Sequence, residues 1–412
     1  MTSRLQQLAR DTPASRDRYV DFLRAASVMA VVFGHWVSAL IERDEGLVSV
    51  TGAVGRASGL WLGTWIFQVI PVLFFVGGFS NLVALDSTRA RGGTTWTFVR
   101  ARAGRLLRPS LFCLGAWTVV EVVMHLGDLG QPTAPRLWGS FVLLRGVRPP
   151  GQTLPFGPLW FLAVYLAVVV ISPVTIAVHR RFGVRVPVAM AAFAALVDVA
   201  GFVGGHPKIR YLNIGFVLLL PHQLGHFYGD GTWRHASRRL WWGMVVSGAT
   251  GLLLLTNSWL FELFGDRRFR WFPGIGHYPR SLVGTNVERI SNAYPPTLCF
   301  LLGGVWMVGA VMLLRPAATR WLARERPWIA TIAVNARIMT LFLWHMTAYL
   351  LAILILWPLG FGHEREPTVR WWLERPLWLA VAGTILCGMV AVFGPLERAK
   401  RRRSSARDGV SS

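Results

Sequence analysis

The sequence predicts an all-α membrane protein that crosses the bilayer about ten times and keeps both termini in the cytoplasm. Three observations lead to this fold class: an apolar composition, ten apolar runs of spanning length, and an uneven distribution of arginine between them. Of the 412 residues, 53% are hydrophobic and only 15% are charged, whereas a soluble domain carries about 25% charged residues. The composition excludes a soluble domain. It also excludes disorder, because disordered chains are poor in apolar residues.

The apolar runs set the number of crossings, since one transmembrane helix needs about 20 apolar residues. Ten runs follow one another along the chain, the third and the seventh being short: 20–40, 60–84, 109–125, 159–178, 186–203, 211–227, 241–257, 295–314, 338–357 and 376–396. The first run is too long for the apolar region of a signal peptide and has no small-residue cleavage site close behind it. We therefore interpret it as a retained span.

The basic residues predict the orientation. With the N-terminus inside, the cytoplasmic segments hold 26 Lys and Arg residues and the outer segments hold 15, which agrees with the positive-inside rule. In a soluble protein the net charge of +23 would suggest a nucleic-acid partner. Here cytoplasmic loops beside an anionic membrane account for it. The predicted organisation is a cytoplasmic segment (1–18), a transmembrane domain (19–396) and a basic, disordered cytoplasmic tail (397–412).

No metal site or disulfide is expected. The three cysteines, Cys113, Cys299 and Cys387, lie inside apolar runs and lack metal-ligand spacing. His222 and His226 are four residues apart and could share a helix face, but no third ligand is near them in the sequence. Structural hydrogen bonding is the leading interpretation of these two histidines, with a polar pocket as the alternative.

The first run carries the strongest functional signal, which is Arg24 followed after ten residues by His35. Eleven helical steps place the two side chains within about 20° of one face and roughly 16 Å apart along the axis. Because a buried Arg costs about 2.5–3.5 kcal/mol on insertion scales, it usually faces a polar cavity. The alternatives are an Arg24–Asp21 ion pair with the head group at the membrane surface and an interhelical hydrogen bond from His35.

Later segments add further candidates. Two glycines, Gly77 and Gly78, sit among aromatic residues in the second run, where close helix packing is the leading interpretation. A basic segment before the third run places Arg102, Arg105 and Arg108 at three-residue spacing. Guanidinium groups form bidentate contacts with phosphates. This segment could therefore hold the phosphates of a cytoplasmic ligand, although it could equally anchor the topology.

Two single residues complete the candidate set. Trp160 opens the fourth run and is either a site residue or part of the aromatic belt at the membrane surface. His345 lies in the ninth run and is either a site residue or a buried interhelical histidine. The outer segment 258–294 holds Arg267, Arg268, Arg270, Trp271, His277 and Tyr278. That segment could bind a sugar or another polar acceptor, or it could form an amphipathic lid.

The order of these blocks resembles the acyltransferase-3 family, whose members are ten-span membrane enzymes that acylate carbohydrates and other hydroxyl-bearing acceptors. The matching elements are the Asp-Phe-Leu at Asp21 with Arg24 and His35, the Gly-Gly-Phe block, the basic Arg-x-x-Arg element, Leu-Trp-Phe-Leu at residues 159–162, and the late His block. The resemblance covers residues 19–396. This chain departs from the family pattern at Gly77, where Ser is usual, and at residues 163–166, where many members place a Glu.

The resemblance implies transfer of an acyl group, most simply acetyl, from cytoplasmic acyl-CoA to a hydroxyl of a carbohydrate or similar acceptor. It implies His35 as general base or acyl carrier, and Arg24 as the residue that orients the donor or stabilises negative charge. Arg105 and Arg108, supported by Arg102, would hold the CoA phosphates. His345, His222 and Trp160 are second-rank pocket residues.

These expectations describe a multi-pass protein of a bacterial plasma membrane whose partners are acyl-CoA, the acceptor and the lipid bilayer. The alternative function is a secondary transporter or flippase for a polar or anionic solute. Such a protein would use the same buried His and Arg residues as a relay and anion site. A non-enzymatic membrane scaffold is a third interpretation, but it explains the buried ionisable residues poorly.

Overall fold

The structure is a computed structural model that describes residues 6–7, 9–13, 16–44, 47–127, 159–257, 277–285, 290–395 and 397. Within these ranges the regular secondary structure is helical apart from one two-stranded hairpin and an isolated bridge. The predicted all-α fold class is therefore confirmed. The predicted tail 398–412 and residues 258–276 of the outer segment lie outside the described residues. The boundaries of the three predicted regions stay predictions.

The regular elements are numbered here in chain order. The α-helices are α1 (Arg18–Ser38), α2 (Leu60–Phe67), α3 (Ile70–Ala90), α4 (Thr95–Leu126), α5 (Leu159–Phe182), α6 (Arg185–Phe202), α7 (Asn213–Gly229), α8 (Arg238–Thr256), α9 (Leu298–Leu322), α10 (Glu325–Asn335), α11 (Ile338–Leu356) and α12 (Val369–Phe393). The strands are β1 (Ala39–Asp44) and β2 (Leu47–Gly52). Short 3-10 helices occupy Ala53–Gly55, Pro207–Leu212, Thr232–His235 and Trp357–Leu359.

Each of the ten apolar runs is mostly helical in the described residues, although Ala39 and Leu40 at the end of the first run belong to β1. In the described part of the chain, eight helical stretches are long and apolar enough to cross a membrane: Arg18–Ser38, Leu60–Ala90, Thr95–Val123, Leu159–Phe182, Arg185–Phe202, Leu298–Leu322, Ile338–Leu359 and Val369–Pro395. The predicted sixth and seventh spans, α7 and α8, are not among them. Helix α7 has only 17 residues. Helix α8 opens with Arg238 and Arg239, which lower its mean hydropathy.

Helix α1 joins two parts of the hydrophobic core. Its first turns place Tyr19, Val20 and Leu23 in a cluster with residues of α3, α7 and α9. Its last turns place Val32 and Trp36 in a second cluster with residues of α4, α11 and α12. Arg24 and His35 therefore lie beside different neighbours, although they share one helix.

Helices α3 and α7 cross at close range because glycines face each other's backbone. A Cβ atom at Gly78 would lie 1.9 Å from the carbonyl oxygen of His222, and one at Gly225 would lie 2.1 Å from that of Phe75. Neither distance leaves room for a methyl group. The structure thus shows the packing role that the Gly-Gly pair predicted. Gly77 instead makes room for the ring of Tyr165, which would lie 2.7 Å from its Cβ.

The hairpin was not predicted. β1 pairs antiparallel with β2 from Ala39–Gly52 to Asp44–Leu47. The guanidinium of Arg375, at the start of α12, donates to the carbonyl of Ala39 at 3.1 Å. The hairpin thereby joins the end of α1 to the start of α12. We call this side of the bundle the outer end, following the orientation that the basic residues predict.

Candidate active site

His35 and His345 form a hydrogen-bonded pair between α1 and α11. Nδ1 of His35 lies 3.0 Å from Nε2 of His345, and the rings stack at a centroid distance of 5.2 Å and an angle of 9°. His345 is fully buried, whereas His35 is half-buried. Two histidines that are 310 positions apart in the sequence thus meet ring to ring.

The neighbours of this pair assign its protons. Nδ1 of His345 lies 2.7 Å from the carbonyl oxygen of Phe342. A carbonyl only accepts, so this nitrogen carries the proton and Nε2 of neutral His345 is an acceptor. His35 must then donate from Nδ1, which leaves its Nε2 unprotonated. No hydrogen bond to that Nε2 occurs within the described ranges. This nitrogen is therefore able to accept a proton.

Trp36 fixes the backbone around the pair. Its indole Nε1 donates to the carbonyl of His345 at 3.0 Å, and its side chain is buried. Phe342 packs on the other side of His345, with ring centroids 6.1 Å apart, and Phe161 of α5 packs on Phe342 at 5.8 Å. These aromatic rings give the histidine pair an apolar surface on one side.

Arg24 occupies a separate polar cluster near the start of α1. It donates to Asp21 at 3.1 Å and to the hydroxyl of Ser80 on α3 at 2.8 Å. Asp21 also pairs with Arg16. The expected Arg24–Asp21 ion pair therefore exists. The contact with Ser80 shows that the guanidinium points into the bundle rather than towards lipid.

Arg102 is held inside the bundle by one asparagine. Its Nε and Nη2 both donate to Oδ1 of Asn81, at 3.1 and 2.8 Å. The amide nitrogen of the fully buried Asn81 lies 2.9 Å from the hydroxyl of Ser172 and 3.2 Å from Nε2 of His222. Three helices therefore position Asn81, and Asn81 positions Arg102. His222, a second-rank candidate, acts on Arg102 through Asn81 and has no contact with His35.

Arg105 and Arg108 differ from Arg102 because both are exposed on the surface of α4. Neither has a hydrogen bond or ion pair with another described residue. Their guanidinium groups are accessible to a ligand at the membrane surface. The three arginines thus divide into one held inside the bundle and two available outside it.

A second buried network extends from His222 towards the predicted cytoplasmic side. Gln223 lies 2.7 Å from Nδ1 of His179 and 3.1 Å from Nδ1 of His226. Nε2 of His179 contacts Asp230 at 2.8 Å. Burial raises the pKa of Asp230, but hydrogen bonds from Thr232 and His179 outweigh it, so this pKa is lowered overall. Gln223 and Asp230 bond both ring nitrogens of His179 and Nδ1 of His226, whereas the buried Nε2 of His226 has no hydrogen-bond partner among the described residues. No group of three or more metal ligands occurs in the described residues.

Trp160 is half-buried and packs edge-on against Phe161, with ring centroids 6.3 Å apart. Phe161, its neighbour in the sequence, is the one that reaches Phe342 beside the histidine pair. Ser80 and Asn81 are site residues that the sequence analysis did not single out. A polar pair inside an apolar span, one turn after Gly77 and Gly78, was the signal that could have found them.

The architecture and the site define a polytopic membrane protein with an intramembrane histidine pair and inward-facing arginines. The family model for an acyltransferase domain matches residues 17–394, which is nearly the whole chain. The chain belongs to the acyltransferase-3 family and is a membrane acyltransferase. A comparison with curated proteins and one with solved structures found no match.

Proposed function

We propose that this protein transfers an acetyl group from cytoplasmic acetyl-CoA to a hydroxyl of a carbohydrate acceptor, with His35 as the general base. Family membership supports acyl transfer by a membrane enzyme. The observation that carries the finer proposal is the histidine pair, in which His345 orients His35 so that its Nε2 has a free lone pair. An unprotonated imidazole nitrogen is the group that general-base catalysis needs.

In the proposed reaction the acceptor hydroxyl gives its proton to Nε2 of His35 while its oxygen attacks the thioester carbonyl. The C–S bond then breaks, the ester forms, and the CoA thiolate takes up the proton. While His35 is protonated, its Nδ1–H bond to His345 becomes a charge-assisted hydrogen bond, which is stronger than a neutral one. His345 therefore stabilises the transition state through His35 without touching the substrate.

The arginines are assigned to the donor. Exposed Arg105 and Arg108 would hold the CoA phosphates at the membrane surface, because guanidinium groups bind phosphates in bidentate geometry. Arg102 and Arg24 line the route from that surface into the bundle. Arg24 keeps a partner carboxylate, whereas Arg102 binds only the neutral amide of Asn81. Arg102 is therefore the better placed of the two to stabilise negative charge on the donor.

The test is binding of radiolabelled acetyl-CoA to the purified protein in nanodiscs, followed by the rate of CoA release with a hydroxyl acceptor present. Arg105→Ala/Arg108→Ala should lose saturable binding, while Arg89→Ala/Arg91→Ala should retain it. The control pair removes the same charge at exposed positions on the other side of the α3–α4 turn. Equal binding by both double variants would refute the phosphate assignment.

His35→Ala should bind acetyl-CoA but transfer it roughly 10²–10⁴-fold more slowly, which is the usual contribution of a general base. His363→Ala is the matched control, because His363 is an exposed histidine at the outer end whose hydrogen bond and ring contact within the described residues are both with Trp357. Full transfer by His35→Ala would remove His35 from the mechanism. Absence of binding to folded wild-type protein would favour the transporter alternative.

A further inference from the structure

A buried carboxylate joins four segments at the outer end of the bundle. Asp198, near the end of α6, accepts hydrogen bonds from the Asn213 amide at 2.9 Å, the Tyr278 hydroxyl at 2.8 Å and the Leu298 backbone N–H at 2.8 Å. These donors belong to α7, to the segment 277–285 and to the start of α9. Asp198 is only 1% exposed, and these three donors satisfy its carboxylate.

Arg210 lies beside this carboxylate without binding it. Arg210 is only 9% exposed, yet its Nε and Nη2 have no hydrogen-bond partner. No Asp198–Arg210 ion pair within 4.0 Å occurs, and the guanidinium instead lies 4.2 Å from the ring centroid of Phe202. A Cβ at Gly201 would lie 2.3 Å from Cγ of Arg210, so the glycine makes room for the arginine stem.

An unpaired buried guanidinium is unfavourable, because each buried N–H without a partner has lost its hydrogen bonds to water and gained none in return. The two unpaired nitrogens are also neighbours. Nε and Nη2 form the side edge of the guanidinium, which is the edge that binds both oxygens of a carboxylate or phosphate at once. Arg210 thus has the edge that binds an oxyanion, and no protein group is hydrogen-bonded to it.

The surroundings select among oxyanions. The negative charge of Asp198 disfavours a dianion such as phosphate more than a monoanionic carboxylate, because like charges in a buried site repel strongly. Next to Arg210, Tyr211 is 49% exposed and packs edge-on against Tyr294 with ring centroids 5.6 Å apart. An aromatic pair in which Tyr211 is exposed and Tyr294 half-buried, beside a carboxylate-binding edge, suits a sugar ring that carries a carboxylate.

We propose that Arg210 binds the carboxylate of an acidic carbohydrate at the outer end of the bundle. That this carbohydrate is the acceptor rests on the proposed function, whereas the binding itself does not. Asp198 has a positioning role in this site. It holds Asn213, Tyr278 and the start of α9 around Arg210. None of these groups is hydrogen-bonded to Nε or Nη2 of the guanidinium.

The test measures the thermal unfolding temperature of the protein in nanodiscs as glucuronate, glucose or inorganic phosphate is added. Glucuronate should stabilise wild-type protein and Arg280→Gln, a control that removes an exposed arginine at the same end. In Arg210→Gln and Arg210→Lys, the glucuronate concentration giving half of the shift should rise at least tenfold. The lysine variant keeps the charge beside Asp198 but lacks the paired N–H edge, so it decides the question if the glutamine variant fails to fold.

Three results would overturn the proposal. The first is that glucuronate leaves the unfolding temperature of wild-type protein unchanged. The second is that glucuronate raises it equally in wild type and in Arg210→Lys. The third is that glucose raises the wild-type unfolding temperature as much as glucuronate does. A response to phosphate as large as that to glucuronate would overturn the assignment to an acidic sugar. Because acetyl-CoA is absent from these measurements, they succeed or fail independently of the donor-binding test.

Discussion

Replacing His345 by alanine tests whether the histidine pair works as a unit. The change removes the acceptor 3.0 Å from Nδ1 of His35, while His35 itself remains. In the ground state a neutral hydrogen bond is lost. In the transition state, when His35 carries the acceptor's proton, a charge-assisted bond worth about 1.5–3 kcal/mol is lost. The neutral bond is worth about 0.5–1.5 kcal/mol, so the barrier rises only by the difference, about 1–1.5 kcal/mol. Since about 1.36 kcal/mol corresponds to a tenfold change in rate, transfer should slow roughly 5- to 13-fold.

The assay is the rate of CoA release from acetyl-CoA in nanodiscs, with binding of labelled acetyl-CoA measured on the same preparations. His345→Ala should lower the rate without changing donor binding. His345→Gln should recover part of the rate, because its side-chain oxygen can accept from His35. The matched control is Thr347→Ala on the same helix. It removes the acceptor of the Trp117 indole, a hydrogen bond of 3.1 Å that does not involve His35.

An unchanged rate in His345→Ala, together with an inactive His35→Ala, would refute the reasoning. It would mean that His35 is oriented by some other contact and that the assigned protonation states do not matter. A loss as large in Thr347→Ala as in His345→Ala would also refute it, because the effect would then arise from general disturbance of α11.

Two further predictions concern the scaffold. Gly78→Ala should lower the free energy of unfolding by about 1–3 kcal/mol or more, because its Cβ would meet the His222 carbonyl at 1.9 Å. Thermal unfolding in detergent measures this change, and Gly104→Ala, with no atom within 4 Å of its Cβ, should show no such loss. Burial raises the pKa of Glu397, which accepts from Thr340 at 2.9 Å, above its ordinary 4.5. The folded state therefore keeps this proton to a higher pH than the unfolded state does, so stability falls as the pH rises from 4.5 through the raised pKa. Glu397→Gln should remove this pH dependence from the unfolding temperature. Unfolding temperatures of wild type and variant that change with pH in the same way would contradict the prediction.

The neutral polar networks explain how this bundle tolerates buried histidines. His35 and His345 bond each other, His179 is bonded at both ring nitrogens by Gln223 and Asp230, and His226 is bonded at Nδ1 by Gln223. Each of these contacts can form with a neutral ring, so none of them requires a charged histidine in the apolar interior. A histidine that lost its partner would leave a polar atom unsatisfied, which costs more in such an environment than at a surface.

The sequence by itself determined the fold class, because the length of an apolar run and the requirement that backbone groups bond internally leave helices as the solution. All ten predicted runs are mostly helical in the described residues. It also determined which residue types were out of place, since Arg24, His35, His222 and His345 stand in apolar runs where charge and polarity are costly. These inferences use only local pattern and composition.

Only the tertiary structure decided which of these residues meet. The helical spacing of Arg24 and His35 suggested one shared site, but the neighbours of α1 change along its length, so Arg24 meets Ser80 and His35 meets His345. The sequence likewise did not show that Asn81 holds Arg102 or that Arg210 has two unpaired nitrogens. The physical reason is that a side chain's partner lies on another helix, and helix packing, not sequence spacing, brings the two together.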